Sequence, residues 1–541
     1  MAALKDLYPE GDVKVFTLPV SGTVTLVGPE VRIVTTPEFQ RLAGVKQLGT
    51  SYVVFRGATH TRFEHSLGAL HKAEAMVQAI NGNPKSTAQI PPEAHKLARL
   101  GALLHDLTHI PFGHTLEDEF HLLPAHDANP HRANKLMVES AIGDILKVEL
   151  GQELFEHLRA TLAAKEPDDF KALEYPYVGD IVGNTVCADL LDYVERDLAG
   201  CGMPVKIGDR FLDYLTLTTE DEPNEHDRKR VVLNLDKRNM PRPDVESEVI
   251  KLLNFRYELA ERVYFHHAKN AASVMIARAV QESGLAFGED TPPELEEQLY
   301  WLSDEGLLLA LEKVAVAEAM GLLPHPPAVG DRDLAERLAS GVRRRDLFKI
   351  AYLGVHDDLA SRVDAITSGY SDPAARRAFE NRIADLAGLP HGSVLLHVPR
   401  RKMMTKPAEV RVRTSSGDVV TLSRWDEDHS RRVLALNDAH RRLWRVTVFI
   451  DPEHLSSAGI VRTAVEEELG APSRYVEEHP SKYLREVFDR FAVQEGWTAA
   501  DLLALADSPL STGATLEETR QVLKGLIDDR RADQPEPETG E

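Results

Sequence analysis

The sequence predicts a mainly α protein: a helical core, a short β region ahead of it, and a small α+β unit after it. Three observations predict this. Apolar residues recur at helical spacing in a series of stretches from Thr36 to about residue 322. Ahead of it, short apolar runs are separated by Gly22, Gly28 and Pro29. Beyond about residue 390, strand-like runs return.

The first strands are read in residues 12–35, from Val13, Val15 and Phe16, then Thr23, Leu26 and Val27, then Val31 and Ile33. At Thr36-Pro37-Glu38-Phe39 the pattern turns helical, with a threonine N-cap and a proline at the first helical position. Phe63, Leu67, Leu70, Met76, Val77 and Ile80 mark a helix that Asn81-Gly82-Asn83-Pro84 stops. Leu97, Leu100, Leu103, Leu104 and Leu107 mark the next, which delivers His105 and Asp106 at its C-terminal end. Leu136, Ile142, Ile145 and Leu146 suggest another. Val186, Leu190, Val194 and Leu198 form an apolar stripe on a helix whose polar face carries Asp189, Tyr193 and Asp197 at i, i+4 and i+8. Residues 246–283 and 293–322 read as long helices.

Strands are then expected at Val394-Leu395-Leu396, Val410-Arg411-Val412, Val419-Val420-Thr421-Leu422 and Val446-Thr447-Val448-Phe449-Ile450, with a polar helix at about 427–441. Residues 480–530 look helical. The expected organisation is N-terminal strands packed on the core (1–35), a helical domain (36–390), a C-terminal α+β and helical region (391–530) and a disordered tail (531–541).

Composition narrows the function. The 541 residues can bury a large core. The balance of 63 basic against 86 acidic residues, a net charge of −23, makes nucleic acid an unexpected partner, because non-specific binding needs a basic surface facing phosphates. A local basic pocket for a small phosphate ligand stays compatible with it. Two cysteines in this length argue against a disulfide-built secreted protein. The N-terminal residues lack the basic and apolar regions of a signal peptide, and no apolar run reaches the roughly 18 residues of a membrane span. A cytoplasmic protein with no membrane partner is expected.

The chemistry concentrates in Leu103-Leu104-His105-Asp106-Leu107-Thr108-His109-Ile110-Pro111-Phe112-Gly113-His114 and in Arg62-Phe63-Glu64-His65-Ser66-Leu67-Gly68. Imidazoles and carboxylates on buried helices are costly unless a cation offsets their desolvation. His65, His105, Asp106 and Asp189 come from three separate helices and form an imidazole–carboxylate set suited to Mn, Mg, Fe, Zn or Ni. A divalent metal is therefore the expected cofactor, present only where the chain is folded.

These stretches resemble the HD-superfamily phosphohydrolases, and within them the deoxynucleoside triphosphate (dNTP) triphosphohydrolases of the SAM-and-HD-domain and bacterial dGTPase type. The resemblance rests on Thr36–Leu42, Val45–Gly49, Arg62–Gly68, His105–His114 and Asp189–Asp197, with weaker support at Tyr264–His267 and Arg345–Lys349. No SAM domain is read ahead of the helical core. The resemblance implies metal ligands at His65, His105, Asp106 and Asp189. It implies phosphate-lining or acid/base roles for His109, His114, Glu117 and His131. His114 and Glu117 can meet if their stretch is helical, and His126 can stand in for His131. It further implies nucleotide contacts at Gln47, Leu48, Arg62, Tyr193, Asp197, Arg256 and Tyr264, with Tyr193 under the deoxyribose and Asp197 accepting from the 3′-hydroxyl.

The implied activity is metal-dependent hydrolysis of dNTPs to deoxynucleoside and inorganic triphosphate, in a homo-oligomer. Two departures stand out. Leu190 replaces a phosphate-contacting lysine of the vertebrate enzymes. Thr35 and Ala43 replace the residues that recognise activating guanine there, which leaves a different allosteric nucleotide or none. Arg343-Arg344-Arg345 and Arg400-Arg401-Lys402 read either as phosphate sites or as solvated basic turns. Two other readings stay open. One is an HD phosphohydrolase acting on nucleoside monophosphates or on modified or cyclic nucleotides. The other is a nucleotide-sensing or nucleic-acid-binding HD protein with little catalysis.

Overall fold

The structure, a computed structural model, describes residues 6–125, 129–164, 169–170, 172–184, 186–219, 229–237, 240–283, 293–319, 330–400, 410–414, 418–427 and 429–475, with Leu4, Lys524, Gly525 and Asp528. The fold is mainly α. The chain divides into one unit of Met1–Arg345 with Arg400–Leu443 and a second of Asp346–Pro399 with Trp444–Glu541.

The first unit opens with an antiparallel hairpin, β1 (Val13–Leu18) and β2 (Gly22–Val27), in which Val13 faces Val27. Gly22 turns it with a φ of +68°. Val31 and Ile33, read as a strand, belong instead to a short helix, Pro29–Ile33. Pro29 occupies its first turn, and the buried Glu30 accepts the backbone N–H of Val27 at 2.9 Å.

The core helices are α1 (Arg62–Gly82), α2 (Pro92–Leu104), α3 (Ala141–Ala163), α4 (Pro176–Gly183) and α5 (Ala188–Gly200). Helix α1 packs on α2 and α5, and α2 also packs on α3 and α4. The apolar positions that mark α1, α2 and α5 in the sequence are the ones that pack here: Leu67, Met76 and Ile80, then Leu97, Leu100 and Leu103, then Leu190, Val194 and Leu198 are all buried. Each such side chain contributes about 1.5–3 kcal/mol through burial.

Two stretches read as long helices are interrupted. The first is α6 (Pro243–Leu259), a wide turn at Ala260–Tyr264, and α7 (His267–Glu282). His266 breaks it with extended dihedrals, and its Nδ1 accepts the N–H of Ala268 at 3.2 Å. The second divides into Pro293–Tyr300, Asp304–Glu312 and Val314–Ala319, with Ser303 capping Gly306 N–H at 3.0 Å. Caps inserted in phase leave the apolar period intact, so periodicity does not register them.

The strands grouped after residue 390 divide between two sheets. Arg411–Arg413 and Val419–Thr421 join Lys229–Asn234 and Leu215–Thr219 in a four-stranded sheet of the first unit. Val394–His397 and Arg445–Ile450 pair antiparallel with each other, and Lys349–Val355 flanks Arg445–Ile450 on its other side, in the second unit. Helices Pro373–Leu386 and Ala458–Leu469 pack on that sheet. Alternation marks a strand but not its partner, and here the partners lie far upstream. The region 480–530, save the three isolated positions, and the tail 531–541 lie outside the described residues.

Candidate metal centre and its surroundings

Local folding aims the candidate ligands. Thr61 and Glu64 form a capping box that starts α1 at Arg62, so His65 projects from its first turns. Helix α2 ends at Leu104, and His105 is its C-cap. Cys187 caps α5, its Sγ accepting Leu190 N–H at 3.4 Å, which puts Asp189 in the first turn.

These ends meet. His65 Nε2 lies 3.2 Å from His105 Nε2 and 3.2 Å from Asp189 Oδ1, and His105 Nε2 lies 3.6 Å from the same oxygen. Asp106 stands beside them, Oδ1 at 3.5 Å from His105 Nε2 and Oδ2 at 3.6 Å from His65 Nε2. Atoms held about 2.0–2.2 Å from one centre stand about 3–3.5 Å apart, a spacing that His65 Nε2, His105 Nε2 and Asp189 Oδ1 approach.

The tautomers support the same fit. His65 Nδ1 faces Asp192 Oδ2 at 2.9 Å, and Arg196 grips that carboxylate through two 2.8 Å hydrogen bonds. His105 Nδ1 faces the Ala102 carbonyl at 2.8 Å, an acceptor with no proton to give. Both Nδ1 atoms therefore donate, and both Nε2 lone pairs point at each other and at carboxylates. Only a cation makes that arrangement favourable. Burial alone would lower His65, but the hydrogen bonds with Asp189 and Asp192 push it up to about 10. Arg62, His105 and His109 hold Asp106 well below the usual carboxylate range against its burial. The pocket is negative enough to hold a proton or a divalent ion, and His65, His105 and Asp189 converge as a metal-binding group.

Around it, Arg62 Nη1 donates to Asp106 Oδ2 at 2.6 Å, while its buried Nε has no hydrogen-bond partner among the described residues. Gln47 Oε1 is buried with no hydrogen-bond partner among the described residues, and Leu48 next to it in sequence is buried. His109 Nε2 lies 3.3 Å from Asp106 Oδ1 and its Nδ1 3.8 Å from Glu117 Oε2. Gly113 makes room for that ring, since a Cβ there would stand 2.9 Å from His109 Nδ1. Tyr193 and Tyr264 share a setting with Arg256 and Asp197, and burial raises both hydroxyls above their ordinary value.

Other expected residues sit differently. His114 is half exposed and its Nδ1 faces Asp118 Oδ2 at 2.8 Å, not Glu117. Residues His114–Glu119 form a π-turn, whose wider pitch sets position i+4 over i. Glu117 is instead buried against Arg132, which also binds Glu296. His131 pairs with Glu297 at 2.9 Å. His126, Arg401 and Lys402 lie outside the described residues. Leu190 is buried, and Thr35 and Ala43 are exposed. Arg343 pairs with Glu312, and Arg345 Nε donates to the Val53 carbonyl at 2.9 Å.

Sequence reasoning missed Asp192, Arg196 and His60. The first two share the Asp189 face of α5 at helical spacing, a signal that was available. His60 Nε2 lies 2.8 Å from Asp197 Oδ1 across 137 positions, and no local pattern announces that contact.

A mainly helical fold presents a His/Asp group from three helices that can hold a metal ion, and comparison with known proteins gives its class. Residues 62–197 match the HD domain model and residues 249–477 the HD associated region, and the chain belongs to the HD superfamily of metal-dependent phosphohydrolases. It is 30% identical over 311 residues to the deoxynucleoside triphosphate triphosphohydrolase SAMHD1 of Gallus gallus, covering 53% of this chain and 48% of that protein. It is 29% identical over 284 residues to the uncharacterized protein YwfO of Bacillus subtilis, covering 51% and 58%. Over 107 residues it is 43% identical to human SAMHD1, covering 20% and 17%. The chain thus spans about half the length, or less, of the curated relatives it matches. A hypothetical protein from Aquifex aeolicus shares the fold, with a TM-score of 0.58 at 21% identity, covering 83% of this chain and 99% of that one. A phosphohydrolase from Bacteroides thetaiotaomicron does so with a TM-score of 0.55 at 19% identity, covering 81% and 99%. Among the described residues, no helix is long and apolar enough to cross a membrane.

Proposed function

We propose that this chain hydrolyses deoxynucleoside triphosphates to deoxynucleoside and inorganic triphosphate. The observation that carries the reading is that Arg62, which donates to Asp106 beside the His65, His105 and Asp189 donors, keeps a buried Nε with no hydrogen-bond partner among the described residues. A metal-binding group beside an orphaned cationic N–H donor is what a bound phosphate ester satisfies.

A divalent metal held by those four side chains supplies an activated water or a polarised phosphoryl oxygen. The chain's own residues do the rest. Arg62 orients Asp106 and offers its remaining N–H groups to phosphate. His109, held between Asp106 and Glu117, is placed to pass a proton to the leaving 5′-oxygen as water adds to the α-phosphorus and the P–O5′ bond breaks. His114 and His131 stay in this reading as exposed or half-exposed groups reached by the outer phosphates. Tyr193, Tyr264, Arg256 and Asp197 hold the sugar side, where Tyr193 leaves no room for a 2′-hydroxyl. Assembly as a homo-oligomer and activation by a second nucleotide belong to the same reading.

Leu190 favours one second reading. A buried leucine puts no cation beside Asp189, so a substrate with a shorter phosphate chain fits the same centre. Product analysis separates the two. With Mn²⁺ or Mg²⁺ and each dNTP, alone and mixed, nucleoside and triphosphate should appear in equal amounts. Monophosphate or diphosphate as the product overturns the first reading. Turnover seen only in mixtures identifies activation. Replacing His105 and Asp106 by alanine should abolish both turnover and bound metal, and retained turnover would sink the site.

A further inference from the structure

We propose that Arg41 and Asp304 are positioning residues of this site: two buried, opposite charges that grip the Leu107–Phe112 loop by its backbone and fix where His109 meets the substrate. The proposal rests on the hydrolase reading above.

The contacts flank His109 on both sides. Arg41 Nη1 donates to the His109 carbonyl at 2.6 Å and Nη2 donates to the Leu107 carbonyl. Asp304 Oδ1 accepts the N–H of Phe112 at 2.9 Å. None of these touches a metal-binding side chain; all hold the main chain that carries His109. Phe112 needs holding, because it is buried with a φ of +50°, a left-handed backbone that a phenylalanine adopts at a cost.

The same two charges tie the loop to the rest of the site. Asp304 Oδ2 accepts the N–H of Lys46 at 2.7 Å, one residue before Gln47. Arg41 heads the short helical turn Arg41–Gly44 that leads to Lys46, and its Nη1 also reaches the Tyr300 carbonyl at 3.3 Å, four residues before Asp304. Segments 41–47, 107–112 and 300–304 thus form a closed clasp. The separation between His109 and Gln47 is set by two charged side chains. Asp304 gives one carboxylate oxygen to each N–H, and Arg41 turns its two Nη atoms to different carbonyls. An amide has a single oxygen and a single nitrogen, so it does not reproduce the two-oxygen reach of the carboxylate or the two-nitrogen fork of the guanidinium.

The test uses the full chain with Asp304→Asn and Arg41→Lys. Asparagine keeps the shape but turns an amide NH₂ toward one of the two N–H groups. Lysine keeps the charge but loses the fork. The readouts are kcat and KM on the dNTP cleaved best, bound metal, and deuterium exchange of the peptide spanning residues 107–116. Exchange should rise in that peptide and not in α1 or α5. In both variants kcat should fall about 10- to 100-fold while KM and metal content stay within about twofold, as expected for misplacement of a reacting group. An unchanged exchange rate overturns the grip. Loosened exchange with unchanged kcat overturns the positioning role, and metal lost in step with kcat overturns it too. If the unaltered chain releases no triphosphate, the proposed function fails separately. The kinetic comparison is then made on bis(p-nitrophenyl) phosphate, and the exchange readout stands whichever ester is cleaved.

Discussion

Gly68 lies directly against Asp192: a Cβ built on it would overlap the Asp192 carboxylate and the Arg196 guanidinium. That close approach lets Asp192 reach His65 Nδ1 and fix the tautomer that turns Nε2 toward the metal-binding group. Gly68→Ala should raise helix propensity by about 1 kcal/mol. It should nevertheless weaken metal binding about 10- to 100-fold, because a displaced Asp192 no longer orients His65. Titration of metal-stripped protein with Mn²⁺ measures this. An affinity equal to that of the unaltered chain would show that Asp192 does not set the ligand.

Arg132 is buried between Glu117 and Glu296 and also donates to the Thr108 carbonyl at 3.0 Å. Removing it takes the cation they share from two buried carboxylates, Glu117 and Glu296. Arg132→Met should cost about 3–5 kcal/mol, read as a lower urea midpoint. Adding Glu117→Gln and Glu296→Gln to the same chain should recover most of the loss, since the charges that needed Arg132 are gone. A loss below about 1 kcal/mol, or no recovery, refutes the account.

The helical core was legible in the sequence, and so was the candidate group His65, His105 and Asp189 that the fold brings together, because each depends on local pattern. Apolar period marks α1, α2 and α5, and the capping residues at Thr61 and Leu104–His105 fix where His65 and His105 emerge. What stayed hidden depends on long-range pairing. The 293–322 stretch shows a helical period, yet its value to the site lies in Glu296 and Asp304, which meet Arg132 and Phe112 across more than 160 positions. The split of the later strands between two sheets is the same kind of fact. The partner of His114 was misread for a local reason: spacing of three presumes an α-turn, and the π-turn brings Asp118 there instead.

Burial pushes the Asp304 carboxyl up to about 6, with Glu305 adding to the rise and Lys46, through its charge and N–H, and the Phe112 N–H opposing it. An acid whose folded value lies above its unfolded one binds its proton more tightly when folded. Its contribution to stability is therefore fully present below about pH 4 and is lost as pH rises to about 6. Two pH units correspond to about 2–3 kcal/mol. Asp304→Asn carries no such proton, so the stability of the unaltered chain relative to that variant should fall by this amount between pH 4 and 6 and stay level above pH 7. Urea midpoints across that window test it, and a level difference throughout would show that the carboxyl is not raised. Catalysis should move the other way. Protonation puts a hydrogen on one of the two oxygens that accept the N–H groups of Lys46 and Phe112. Below about pH 6 the fold then gains stability while the loop carrying His109 loses one of its two holds. The acid side of the kcat profile should keep a step near pH 6 in the unaltered chain that Asp304→Asn lacks.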